Sequence, residues 1–94
     1  MRVQTKLWRW SGESATWHFL TIPEEQAQEI RAESLLRRGG FGSVRVEATI
    51  DDVTWRSSVF PQKSGGYLMP VKAEVRRRAK IAEGDDVILL LELL

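Results

Sequence analysis

The chain has no cysteine. That excludes a disulfide framework, a thiolate metal site and a cysteine nucleophile. It has a single histidine, His18. With no cysteine to join it, a zinc site of ordinary ligand type would need several carboxylates around that one imidazole. The HExxH spacing of zinc hydrolases and the DxDxDG spacing of calcium loops are both missing. No apolar run approaches the roughly 18 residues that a membrane-crossing helix needs. The first ten residues, MRVQTKLWRW, lack the apolar stretch of a secretory signal. These absences predict a cytoplasmic protein with no cofactor and no membrane partner. A strong charge of one sign is lacking too. The net charge is +1 and the pI is near 8.2, far from the balance of a dedicated nucleic-acid binder.

What is present is a series of short alternating segments. Ninety-four residues make one domain, 1–94. Val3 to Trp10 alternates as a strand, with Trp8 and Trp10 on the face of Gln4 and Lys6. Ser11 to Ser14 is a turn. Ala15 to Ile22 returns, with Trp17 and Phe19 on one face and Thr16, His18 and Leu20 on the other; the first face is read as core. Thr21-Ile22-Pro23-Glu24-Glu25 starts a helix with a hydroxyl, an early proline and carboxylates at the positive end of the helix dipole. That helix is expected over about 22–37, with Ala27, Ile30, Ser34 and Leu35 inward. Gly39-Gly40-Phe41-Gly42 stops it. A phosphate cradle would place such glycines before a helix, not after one.

Ser43 to Ile50 carries the cleanest alternation, with Val44, Val46, Ala48 and Ile50 inward. Asp51-Asp52 turns the chain. Val53 to Phe60 returns with Val53, Trp55, Ser57 and Val59 on one face. After a loop at Pro61 to Gly66, Tyr67, Met69 and Val71 share a face of a further strand. Pro70 ends it and suits the first turn of a helix. A short basic helix is expected over about 72–80, with Val75, Ala79 and Ile81 inward. Gly84-Asp85 is a turn. The last eight residues, VILLLELL, are apolar on both faces apart from Glu92, which predicts a strand buried on both sides.

The order strand-strand-helix-strand occurs twice. Strand, proline, helix recurs at FLTIPEEQAQEIR and GYLMPVKAEVRRR. Superposing the halves aligns Pro23 with Pro70 and Trp8-Arg9 with Trp55-Arg56. The fold class is therefore mostly β: a six-stranded double-split β-barrel, pseudo-duplicated as β-β-α-β, with a helix over each opening. Closing the sheet also protects the apolar last strand.

Gly-Tyr-Leu-Met-Pro-Val-Lys, Val75-Arg76 and Gly84-Asp85-Asp86-Val87 resemble the C-terminal signature of a bacterial family, the one numbered nineteen-oh-five among the domains of unknown function. Trp17 with the strand-Pro-helix stretch matches its first half, and Trp55, Ser57-Ser58 and Pro61 match its middle hairpin. The resemblance implies a double-split barrel similar in shape to DNA-binding proteins of the AbrB and MazE type. Those build the barrel from two chains; this chain holds both halves, which favours a monomer. The alternative is a dimer through the C-terminal strand. The family carries no established activity, so no catalytic residue is transferred.

Three function classes follow. The first is a non-enzymatic interaction module with a protein partner. Trp8 and Trp10 are its candidate surface, because exposed aromatics mark binding faces. The second is weak nucleic-acid binding through Lys63, Lys72, Arg76, Arg77, Arg78 and Lys80, extended by Arg37 and Arg38. From Pro61 to Lys80 the only anion among these cations is Glu74. In AbrB-like barrels, however, DNA contact is not made mainly by this element. The third is a ligand pocket or active site at the barrel mouth, with Ser57, Ser58 and Tyr67 as its polar groups. The carboxylate pairs Glu24-Glu25, Asp51-Asp52 and Asp85-Asp86 read as helix-start and turn chemistry, since adjacent residues on a strand point apart.

Overall fold

Alternation in the middle of the chain converts directly into structure. In the computed structural model, which describes residues 1–38 and 42–94, β3 (Val44–Ile50) buries Val44, Val46, Ala48 and Ile50. It pairs with β4 (Val53–Pro61) across a two-residue turn. Asp51 takes a φ of 53° there, a left-handed conformation that aspartate tolerates better than most side chains. The other strands are β1 (Arg2–Ser11), β2 (Thr16–Ile22), β5 (Tyr67–Pro70) and β6 (Asp86–Leu93); the helices are α1 (Glu24–Arg38) and α2 (Ala73–Ala79).

All six strands close into one antiparallel barrel in the order β1-β2-β5-β4-β3-β6. Exchanging β1 with β4, β2 with β5 and β3 with β6 returns the same cyclic order, so the topology has the expected two-fold pseudosymmetry. The β2–β5 ladder lies on that axis. It pairs Leu20 with Met69 and Ile22 with Tyr67. The second half thus repeats the first in element order, in its proline after the second strand, and in this ladder. The Trp8-Arg9 and Trp55-Arg56 match is not structural. Trp8 lies on the barrel's outer face opposite buried Leu7, whereas Trp55 packs against the core with Val53 and Val59. A one-residue slip in register inverts every side chain, so identical residues in the two halves face opposite ways.

One core fills the barrel. Val3, Leu7, Leu20, Ile22, Met69 and Leu89 are wholly buried within it, each such side chain contributing about 1.5–3 kcal/mol. The two helices leave the β2–β5 ladder from opposite ends: α1 follows Ile22, beside Tyr67, and α2 follows Pro70, beside Phe19. Ala27 and Ile30 of α1 and Val75 and Ala79 of α2 belong to the same buried cluster. Each helix therefore plugs one end.

Four expectations are corrected. Trp17 and Phe19 are not core; Trp17 is half exposed, and Leu20 on the other face is buried. Both faces of β2 carry apolar residues, and pairing of Leu7 with Leu20 selects the inward one. β6 is buried on one face only. Val87, Leu89 and Leu91 point in, while Ile88 and Leu90 are exposed, because among the described residues no layer covers the outside of this strand. Leu35 is half exposed, since the turn of α1 through Ala27, Ile30 and Ser34 carries it past the contact line. α1, expected over about 22–37, runs over Glu24–Arg38; Ile22 is still held in the β5 ladder, and the Pro23 carbonyl accepts the first helical bond, from Ala27, at 2.9 Å. Pro70 lies outside α2: residues 71 and 72 separate them, and the Val71 N–H is taken by the His18 carbonyl at 2.9 Å. The expected glycine stop at Gly39, Gly40 and Phe41, and the side chains of Arg37 and Arg38, lie outside the described residues.

Candidate functional site

β1 and β2 outrun the barrel. β6 pairs with β1 only over Arg2 to Lys6, and β5 with β2 only over Phe19 to Ile22, while the β1–β2 ladder continues to Ser11 and Thr16. Along this ribbon and onto the barrel wall, the outward residues form cross-strand rows. Trp10 pairs with Trp17. Trp8 pairs with Phe19, which pairs with Pro70. Thr21 pairs with Leu68, which pairs with Phe60. Residues directly opposite on antiparallel strands sit about 4.5–5.5 Å apart at Cβ, so these rows make a continuous surface.

The surface is a shallow groove of about 540 Å³ lined by Trp8, Trp10, Trp17, Phe19, Phe60, Leu68 and Pro70. Its aromatic rings support one another. Trp17 and Phe19 stack at 6.2 Å with planes 12° apart, and Trp8 and Phe19 meet at 5.1 Å, tilted by 36°. Trp8 donates its indole N–H to the Thr21 hydroxyl at 2.9 Å, which fixes the groove floor. The indole of Trp10 lies over Gly12, where a Cβ would come within 2.5 Å of a ring carbon. Trp10 and Trp17 are each about half exposed (49% and 50%), as is Phe60.

At its Trp17–Pro70 edge the groove runs into a smaller hollow of about 280 Å³, which adds Thr16, Val71, Lys72, Ala73 and Arg76 to those two residues. Arg76 is committed there: its guanidinium donates to the Val71 carbonyl at 2.6 Å and holds the turn into α2. Lys72 is exposed and makes no ion pair among the described residues. His18 alternates with Trp17 and Phe19 on β2, and its carbonyl accepts the Val71 N–H. Burial, then the charges of Arg76 and Arg9, hold its imidazole below the ordinary value, and Glu83 opposes them. Arg9 itself pairs with Glu83 at 3.6 Å.

The basic residues come from the two ends of β5. Lys63 lies in the loop before β5 and α2 lies after β5, so they occupy opposite ends of that strand. Arg77, Arg78 and Lys80 are exposed at the end of α2 and make no ion pair among the described residues. The polar trio expected at the barrel mouth does not converge. Ser57 shares the inward face of β4 with Val59, while Ser58 points outward beside Arg45. Tyr67 is buried in the barrel, and that burial pushes its phenol above the ordinary value; it is not a surface residue. Among the described residues no group of three or more His, Asp or Glu side chains is placed to hold a metal ion.

Of the groove residues, Trp8 and Trp10 were legible as a candidate surface. Trp17, Phe19, Phe60, Leu68 and Pro70 were not. Their signal was available: each lies opposite in phase to a residue that is wholly buried or tied to the core, such as Leu20, Val59 or Met69.

These features define a small closed antiparallel β-barrel, capped by a helix at each end and carrying an aromatic groove on its outer wall. Within that class, the chain belongs to the family described as Domain of unknown function (DUF1905), which it matches over residues 4–91. No curated protein matches the chain. No helix is long and apolar enough to cross a membrane among the described residues.

Proposed function

We propose that this barrel is a non-enzymatic binding module and that the aromatic groove is its recognition surface for a protein partner. One observation carries the reading: three large aromatics, Trp10, Trp17 and Phe60, remain about half exposed side by side on a wall that has core residues enough beneath it. Contiguous apolar surface of this kind, rimmed by polar residues, costs solubility and marks interaction sites. Aromatic anchors also supply most of the energy at protein interfaces. The cytoplasmic location and monomeric state expected from the sequence fit such a module.

The test is a display selection of random peptides on the wild-type protein, with every binder re-assayed on Trp17→Ser. Trp17 is exposed, so far-ultraviolet circular dichroism should show an intact fold. Peptides that lose binding on Trp17→Ser support the reading. A selection that returns only binders indifferent to that change overturns it.

A second reading has one observation in its favour. Lys72, Arg77, Arg78 and Lys80 are exposed and make no ion pair among the described residues, as a phosphate-contacting surface on an AbrB- or MazE-like barrel would require. It predicts oligonucleotide binding that weakens steeply with salt and falls in Arg77→Ala/Arg78→Ala. No binding at low salt, where phosphate attraction is greatest, retires it.

A further inference from the structure

We infer that the groove takes an extended, proline-containing peptide segment bearing acidic residues at one end; this rests on the binding-module reading above. Three features define that occupant. First, the ligand must be recognised through side chains. On the groove floor Phe19 is paired on both sides, with Trp8 and Pro70, and Leu68 with Thr21 and Phe60, so no free edge is offered there for a peptide to join as an extra strand. A segment already extended before binding loses least entropy in such a contact, and polyproline II is that conformation. Second, the groove offers rings and donors in the right combination. Pyrrolidine rings pack against aromatic walls, and aromatic-lined grooves are the recurring receptors for them. A polyproline II helix has no internal hydrogen bonds, so all its carbonyls seek donors. Among the described residues, the indole N–H groups of Trp10 and Trp17 have no acceptor, unlike that of Trp8, which is spent on Thr21.

Third, the charge is one-sided. Among the described residues, the charged side chains lining the hollow past Trp17 and Pro70 are Lys72 and Arg76. Arg76 keeps its charge while anchored on the Val71 carbonyl, and Lys72 is the exposed one of the two, with no ion pair among the described residues. An acidic residue following the proline segment meets it.

The probe is a peptide of six prolines followed by two glutamates, titrated into the full chain and read by tryptophan emission and NMR shifts. A second peptide ends in two lysines, and oligothymidylate is the nucleic-acid control. The expected result is saturable binding of the acidic peptide. Affinity falls about tenfold in Trp17→Ser. Gly12→Ala, which displaces the Trp10 ring without deleting it, lowers affinity as well. Lys72→Glu weakens the acidic peptide about threefold and reverses the preference toward the lysine peptide. Lys72 is exposed, so this variant tests the charge without risk to the fold. No binding of either proline peptide, while the display selection still returns Trp17-dependent peptides of other composition, overturns this inference and leaves the module reading standing. Failure of both experiments removes both. Binding of oligothymidylate alone overturns it in favour of a stacked single strand. A dimer by light scattering that Trp17→Ser dissolves overturns it in favour of a second copy of the chain.

Discussion

Trp8 donates its indole N–H to the Thr21 hydroxyl at 2.9 Å, while the Thr21 carbonyl accepts from the Thr5 hydroxyl at 2.8 Å. This bridge joins β1 to β2 across the barrel wall. It separates two tryptophans that the sequence places on one face: Trp8 is built into the wall, and Trp10 rides on it. Trp8→Phe should therefore cost about 1 kcal/mol of stability in urea titrations, the usual worth of one hydrogen bond. Trp10→Phe should stay within about 0.5 kcal/mol of wild type. A double-mutant cycle with Thr21→Val should show coupling for Trp8 and none for Trp10.

Glu24 ties α1 to the β4–β5 loop. Its carboxylate pairs with Arg31 and accepts the Gly66 N–H at 2.8 Å. The Arg31 hydrogen bond, then the Gly66 N–H, hold its carboxyl below the ordinary value, with burial opposing them. A lowered folded-state value means that the ionised form is the stabilising one. Its contribution is full above the ordinary glutamate value and is lost as pH falls through the lowered one. The Tm difference between wild type and Glu24→Gln should be present at neutral pH and shrink toward zero in acid, as measured by thermal melts across that window.

Gly66 has a φ of 78°, and a Cβ there would stand 2.7 Å from the Ile22 carbonyl oxygen. That obstacle is backbone held in the β2–β5 ladder, so it cannot yield. Gly66→Ala should cost about 2 kcal/mol or more, from strain and from close approach together. At neighbouring Gly65, with a φ of 99°, the atom met is the Glu24 carboxylate, which swings aside. Gly65→Ala should cost less, and chemical denaturation of the two variants checks the order.

Lys80 ends α2 with a φ of 57°. Its N–H bonds the Arg77 carbonyl and that of Ile81 the Arg76 carbonyl, a closing pattern that favours glycine. Lys80→Gly should stabilise the protein by about 0.5–1 kcal/mol, raising Tm by several degrees in calorimetry.

β6 offers a direct test of which face is inside. Leu89→Ala should cost about 2–5 kcal/mol, because it empties a fully buried site. Leu90→Thr, one residue on and half exposed, should fall within about 0.5 kcal/mol of wild type. Equilibrium unfolding separates the two outcomes.

Much of the fold was legible because local chemistry and global packing agree. In β3 the apolar residues occupy only one phase, so Val44 to Ile50 announces both its strand and its inward side. The proline-helix starts and the repeated element order announce a two-fold barrel. β2 and β6 were legible as strands but not as to which side faces in. Trp17 and Phe19 alternate with His18 and Leu20, and Ile88 and Leu90 alternate with Leu89 and Leu91, so both phases are apolar.

Hydrophobic alternation, turn residues and capping chemistry act between neighbours in the chain, and by themselves they determined the strands, the helices and their order. A period of two says which side chains share a face and is silent on which face is covered. That choice fell to closure of the barrel, through the pairing of Leu7 with Leu20 and of Val3 with Leu89. Only closure put Phe60, Leu68 and Pro70 beside the tryptophans of β1 and β2, because cross-strand neighbours are set by register across the sheet. It also parted Lys63 from the cations of α2, since the strand between them holds its two ends apart.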